Sequence, residues 1–224
     1  MFQNNLMMSA ASISAAANVT LASYTQSGDN ALRTVYTFSD QALGDAAADR
    51  KIVVITAGGS ASAAVSSITI AGVSAALVLD IGTSETNGEM WQADVPTGTS
   101  GTIVVTYGSA IHNTGIGTFR ITGAGTGPSA PSDTATDTDS DPIELTITVP
   151  KGGVCIAGAC DDSTSTHTWA ELTEVYDTAV SGSRMHTGAL LNSETLETDL
   201  PVTCTFSNQT GSQRTGLAAS WAPA

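Results

Sequence analysis

Ile143-Glu144-Leu145-Thr146-Ile147-Thr148-Val149 decides the fold class. Apolar and polar residues alternate strictly along it. An extended strand therefore places the four aliphatic side chains on one face and Glu144, Thr146 and Thr148 on the other. On a helix the same residues would scatter round the axis. The stretch is a strand with one face on a core and the other toward water.

The pattern spreads outward from there. Val202-Thr203-Cys204-Thr205-Phe206 repeats it, and residues 102–107 turn Ile103, Val105 and Tyr107 inward. Further strand patterns cover 34–40, 51–57, 67–70, 90–95, 115–122, 153–159, 166–172, 185–191 and 215–221. The separators are rich in Gly, Pro, Asn, Asp and Ser, as hairpins and loops require. Only the Ala-rich segment 41–49 leaves room for a short helix. The chain is expected to be all-β, an antiparallel β-sandwich of jelly-roll type.

The strands fall into two sequence-similar halves, residues 19–123 and 142–224. Lys51-Ile52-Val53-Val54-Ile55-Thr56-Ala57-Gly58 is answered by Gly153-Val154-Cys155-Ile156-Ala157-Gly158. Met90-Trp91 ahead of residues 101–107 matches Met185-His186 ahead of residues 201–206, and Thr114-Gly115-Ile116 matches Thr215-Gly216-Leu217. Phe119 and Trp221 then fall one residue out of step, a slip that reverses a face unless a bulge absorbs it. Residues 124–141, acidic and rich in Gly, Pro, Ser and Thr, read as the linker between halves or as a surface crossover. A length of 224 residues suits one large sandwich or two small domains. The second half ends at its last strand, so the two halves are expected to share a single sandwich over 19–224.

Ahead of the body lies an extended N-terminal arm, residues 1–18. It opens with Phe2, Gln3, Asn4, Asn5, Leu6, Met7 and Met8, continues as a Ser/Ala tract and holds no charged side chain. It cannot bury its own apolar groups, so it is expected to dock on the body or on a neighbouring subunit. No Lys or Arg precedes its apolar stretch and serines interrupt it, which argues against an export signal. No run approaches the roughly 18 consecutive apolar residues of a spanning helix.

Charge narrows the partners. The net charge is −14, with only seven Lys and Arg. That field repels nucleic acid and anionic membrane surfaces. Charged residues are 12% of the chain, about half the usual share. Cys155, Cys160 and Cys204 are odd in number, and Cys155 and Cys160 face opposite sides of one strand. Buried free thiols are expected.

Catalytic chemistry finds little to build on. His112, His167 and His186 form no metal-spaced pair and read as surface or rim residues. There is no Gly-x-Ser-x-Gly elbow. Glu171, Glu174 and Asp177, and likewise Glu194, Glu197 and Asp199, read as solvated edges rather than an acid–base pair. No catalytic residue and no cofactor is expected. One metal candidate exists, a Ca²⁺ site from Asp137, Asp139 and Asp141 with Asp133 nearby, where alternating Asp offers hard oxygens. The run lacks the Gly and the terminal Glu of an EF-hand loop, and a solvated acidic linker is the competing reading. Trp91, Trp169, Trp221, Tyr24, Tyr36 and Tyr107 could stack on a glycan, though aromatics on strands ordinarily fill a core.

The opening Met1-Phe2-Gln3-Asn4-Asn5-Leu6-Met7-Met8 resembles the start of tailed-bacteriophage virion proteins. Arg50-Lys51-Ile52-Val53-Val54, Val95-Pro96-Thr97-Gly98-Thr99 and residues 115–123 resemble a phage-associated β-sandwich group. The resemblance implies a non-enzymatic virion structural protein, made in the host cytoplasm and assembled into the virion. It implies a tail or tail-tip appendage anchored by the arm, with loops that contact the host surface. The alternative is a capsid decoration or cement protein; a second alternative is a carbohydrate-binding module. Expected partners are other virion proteins, copies of itself (trimers being the natural guess for such proteins) and a host-surface glycan.

Overall fold

A computed structural model of the chain describes residues 15–27, 31–59, 63–125, 131–180, 184–208 and 213–224. The described residues contain strands, turns and loops and no helix. The first half holds β1 (Asn18–Gln26), β2 (Arg33–Ala42), β3 (Lys51–Gly59), β4 (Val65–Ile70), β5 (Val73–Ser74), β6 (Ala76–Gly82), β7 (Thr86–Asp94), β8 (Ser100–Ile111) and β9 (Thr114–Thr122). The second half holds β10 (Asp133–Thr138), β11 (Ile143–Val149), β12 (Val154–Asp161), β13 (His167–Ala170), β14 (Thr173–Ala179), β15 (Met185–Asn192), β16 (Glu197–Phe206) and β17 (Arg214–Trp221).

The pairing is antiparallel throughout and gives four sheets. In the first half these are β1-β9-β3-β7-β6 and β2-β8-β4-β5; in the second they are β10-β17-β12-β15-β14 and β11-β16-β13. With short β5 set aside, the two halves have the same strand order. Each is a jelly roll, one five-stranded sheet facing a smaller one.

The layers follow from which side chains meet. Ile52, Val54, Trp91 and Ile116 face Tyr36, Phe38, Ile68, Ile103 and Val105 of the first small sheet. The alternate residues Val53, Ile55, Met90, Phe119 and Ile121 face Val154, Ile156, Leu217, Ala219 and Trp221 of the second half. Cys155, Ala157, Ala189 and Ala218 then face Ile143, Leu145, Ile147, Val202 and Cys204. The two five-stranded sheets thus stack back to back between the two small sheets. The body is neither one sandwich shared by the halves nor two separate beads, but two jelly rolls fused through a common core.

Burial on both faces explains the composition of the middle strands. All eight residues of β12 (VCIAGACD) and all eight of β17 (RTGLAASW) are buried. β11, in an outer sheet, keeps the alternation of a strand wet on one side. Phe119 and Trp221 both enter the seam, whereas Ile116 turns into the first half's own core and Leu217 into the seam. The aromatic pair is therefore the match in face, and the two Thr-Gly-aliphatic triplets are the part out of step.

Two expectations need correction. The Ala-rich segment 41–49 is not a helix: β2 runs to Ala42, and the buried Arg50 organises the following loop by donating to the carbonyls of Gly44, Val95 and Thr97 at 2.8, 2.6 and 2.7 Å. The segment 124–141 is not merely a linker, because its residues 133–138 are β10, the edge strand paired with β17. Of the arm, Phe2, Gln3, Asn4, Asn5, Leu6, Met7 and Met8 lie outside the described residues. Its last part is tied to the second half: Ala17 is buried and its N–H donates to the Gly152 carbonyl at 2.8 Å.

Candidate functional site

The densest polar chemistry lies where β12, β13 and β14 of the second half converge. β12 ends on Asp161, residues 163 and 165 are serines, and β13 opens on His167. The His167 Nδ1 sits 2.5 Å from Asp177 Oδ1 on β14, and its Nε2 faces Asp161 Oδ1 at 3.6 Å. The His167 backbone N–H donates to Asp177 Oδ2 at 2.9 Å. Ser163 Oγ donates to Asp161 Oδ2 at 2.5 Å, and Ser165 Oγ donates to the same oxygen. Burial would lower the imidazole, but the two carboxylates raise it to about 8. Burial would raise the Asp161 carboxyl, but the facing His167 imidazole and the hydrogen bonds from Ser163 and Ser165 hold it below its ordinary value.

This is an ionic clasp, not a nucleophile and its base. Each serine hydroxyl gives its proton to Asp161, and each imidazole nitrogen is turned to a carboxylate. The arrangement pins the start of β13 between β12 and β14. Asp177, expected on a solvated edge, and His167, expected at the surface or a rim, are the centre of it.

A second cluster fills one end of the seam. Tyr24 of β1 and Tyr176 of β14 stack at 4.6 Å, and His186 of β15 lies 5.0 Å from Tyr176. The Tyr176 hydroxyl and His186 Nε2 share a hydrogen bond of 3.0 Å. Burial, with the charge of His167, pushes His186 down to about 3, so it stays neutral. The adjoining gap, lined by Ile55, Gly88, Cys160, His186 and Leu217, is too narrow for a water molecule. Burial pushes the Cys160 thiol up to about 12, which leaves it unreactive.

The first half uses a carboxylate in the same structural way. Glu89 on β7 accepts from the Val65 N–H at 2.6 Å, which fixes the start of β4, and from Trp91 Nε1 at 2.9 Å. Its pKa is raised by burial.

The candidate calcium ligands are not gathered round one point. Asp137 Oδ1 accepts from Thr138 N and Ser140 Oγ, and its Oδ2 accepts from Glu144 N at 2.8 Å. Asp133 Oδ2 accepts from Thr148 N at 2.7 Å. Asp139 Oδ1 accepts from Arg214 N, and Asp141 lies 3.3 Å from the Arg214 guanidinium. These carboxylates stitch β10 to β11 and β17. Among the described residues no group of three His, Cys, Asp or Glu could hold a metal ion.

The tryptophans are core residues with their indole N–H groups engaged. Trp91 donates to Glu89, Trp169 to Thr187 Oγ1 at 3.0 Å, and Trp221 across the seam to Gln92 Oε1 at 3.0 Å. Tyr36 and Tyr107 are buried too. None of the five offers a sugar-stacking face. All three cysteines are buried and free.

The seam is also bonded at both ends. At one, the Asn192 side chain mimics a strand, accepting from Val19 N at 2.7 Å and donating to Val19 O at 3.1 Å. Ala17, Pro223 and Ala224 lie at this end, where Ala224 N donates to Gly123 O and a groove of about 440 Å³ opens beside Ala16 and Pro223. At the other, Gln213 accepts from Glu85 N at 2.8 Å, and Arg184 donates to the Glu85 carbonyl. No protein family, curated protein or solved structure matches the chain.

Proposed function

We propose that this chain is a structural protein of a tailed-phage virion, a tail or tail-tip appendage, and that it acts by assembly rather than catalysis. One observation carries the reading most: the polarity of the body. Ala15–Ala17, through which the uncharged arm joins, are held at the same end as Pro223 and Ala224, while β3, β12 and β16 terminate at the opposite end. Such a body has one end for attachment and one for presentation. The clasp, the seam cluster and Glu89 support the same reading, because each directs its buried polar groups to holding strands together. The jelly-roll fold also serves viral capsids and lectins, so it agrees with the proposal without deciding it.

The test is incorporation. A variant lacking residues 1–14 should keep the near-ultraviolet circular dichroism of the full chain yet be lost from purified virions. A folded, truncated chain that still enters virions at the normal copy number would overturn the anchoring role.

A further inference from the structure

Five large apolar side chains are exposed among the described residues: Leu32, Val35, Val73, Leu77 and Leu196. Four belong to the first jelly roll and lie on its opposite sides. Leu32 and Val35, 60% and 45% exposed, flank the start of β2. Val73 and Leu77, 40% and 47% exposed, lie on β5 and β6. β1 and β2 are the edge strands on one side, β5 and β6 those on the other. Open strand edges recruit further strands unless charge or distortion blocks them; β1 and β6 each carry a register shift, so the contact at these sides is one between side chains rather than added strand pairing.

The second half blocks its edges. β10 carries Asp133 and Asp137, and β14 carries the exposed Glu174. β6, with the sequence ALVLDIG, carries only Asp80. Beside it a groove of about 230 Å³ is lined by Val73, Ala76 and Ala93 together with Gln92 and the Lys51–Asp94 ion pair. The β2 side instead carries Arg33 next to Leu32.

We infer that the β1/β2 side of one copy docks on the β5/β6 side of the next copy of this chain. The two patches are unlike each other and fit each other: apolar against apolar, Arg33 toward Asp80. Each chain carries −14, so copies repel except through strips of low net charge: β1 and β2 together carry Arg33 and Asp40, and β5 and β6 carry Asp80 alone. The contact is head-to-tail, so each copy offers one free side to the next and the array closes as a ring or extends. The inference deepens the assembly reading and takes from it only the expectation of many copies.

Complementation in the ultracentrifuge tests it. The full chain should sediment as an oligomer. Val35→Asp and Leu77→Asp, each at an exposed position, should each sediment as monomers with an unchanged melting temperature. An equimolar mixture of the two should recover a dimer, because one intact side remains on each partner. A full chain that stays monomeric overturns the inference, and so does a mixture that stays monomeric when both single variants have lost assembly. A monomer that still enters virions would refute this contact and leave the appendage reading standing.

Discussion

Tyr176 sits where it does because its neighbours have no side chains. A Cβ on Gly117 of β9 or Gly188 of β15 would collide with its ring. Gly188→Ala should therefore lower stability by about 1–3 kcal/mol through overpacking. In a Tyr176→Ala background the same change should cost much less, and denaturant midpoints of the four proteins check the coupling. The histidines set the pH response. His167 binds its proton more tightly folded, at about 8, than unfolded, near 6.5, so its contribution is complete below pH 6.5 and is lost as pH rises through 8. That amounts to about 2 kcal/mol. His186 refuses a proton down to about 3 when folded, so stability falls as pH drops below 6.5, by about 2 kcal/mol at pH 5. Asp161 adds to the acid loss once pH falls through the carboxylate range. Urea titrations should find maximal stability near pH 6.5, and His167→Gln should remove the alkaline loss and change the acid side less, through its smaller effects on His186 and Asp161. None of this was legible in the sequence. A histidine among polar residues reads as surface until Asp161 and Asp177 are brought to it from other strands.

At the scale of the element, the strands of the outer sheets were plain, because one wet face enforces alternation. The edges of the inner sheets were not. β1, β6 and β14 each contain a register shift, at Leu21/Ser23, Leu77/Leu79 and Glu174/Tyr176, which breaks the period of two. β10 is rich in Asp and Thr and resembles a linker until its carboxylates are seen holding the amides of β11. Asp137→Ala strips the acceptor from Glu144 N and should cost about 1–3 kcal/mol in urea unfolding. Millimolar Ca²⁺ should leave the melting temperature of the parent unchanged, since the oxygens are already engaged. The clue to four layers was present in Ile52-Val53-Val54-Ile55 and Val154-Cys155-Ile156-Ala157. Continuous apolar runs belong to strands covered on both faces, and a single sandwich has no such layer.

At the scale of the whole molecule, the seam makes two jelly rolls one body. Its middle is dry and apolar, and hydrogen bonds close both ends. Trp221 spans it, buried against the second half's neighbours and bonded to Gln92 of the first. Trp221→Ala should cost about 3–5 kcal/mol. It should also split a single calorimetric transition into two as the halves uncouple. The all-β class was legible from sequence; the stacking of the sheets was not, because it depends on which alternate residues of β3, β9, β12 and β17 face outward from each roll. The proposed appendage role rests on the polarity of this body, with Ala15–Ala17 held at one end and β3, β12 and β16 ending at the other. Immunogold labelling of virions that carry this gene, with an antibody to the folded body, tests it most directly. Gold clustered at the tail or its tip is the predicted result, and virions free of gold, with the chain left in the soluble fraction, would contradict it.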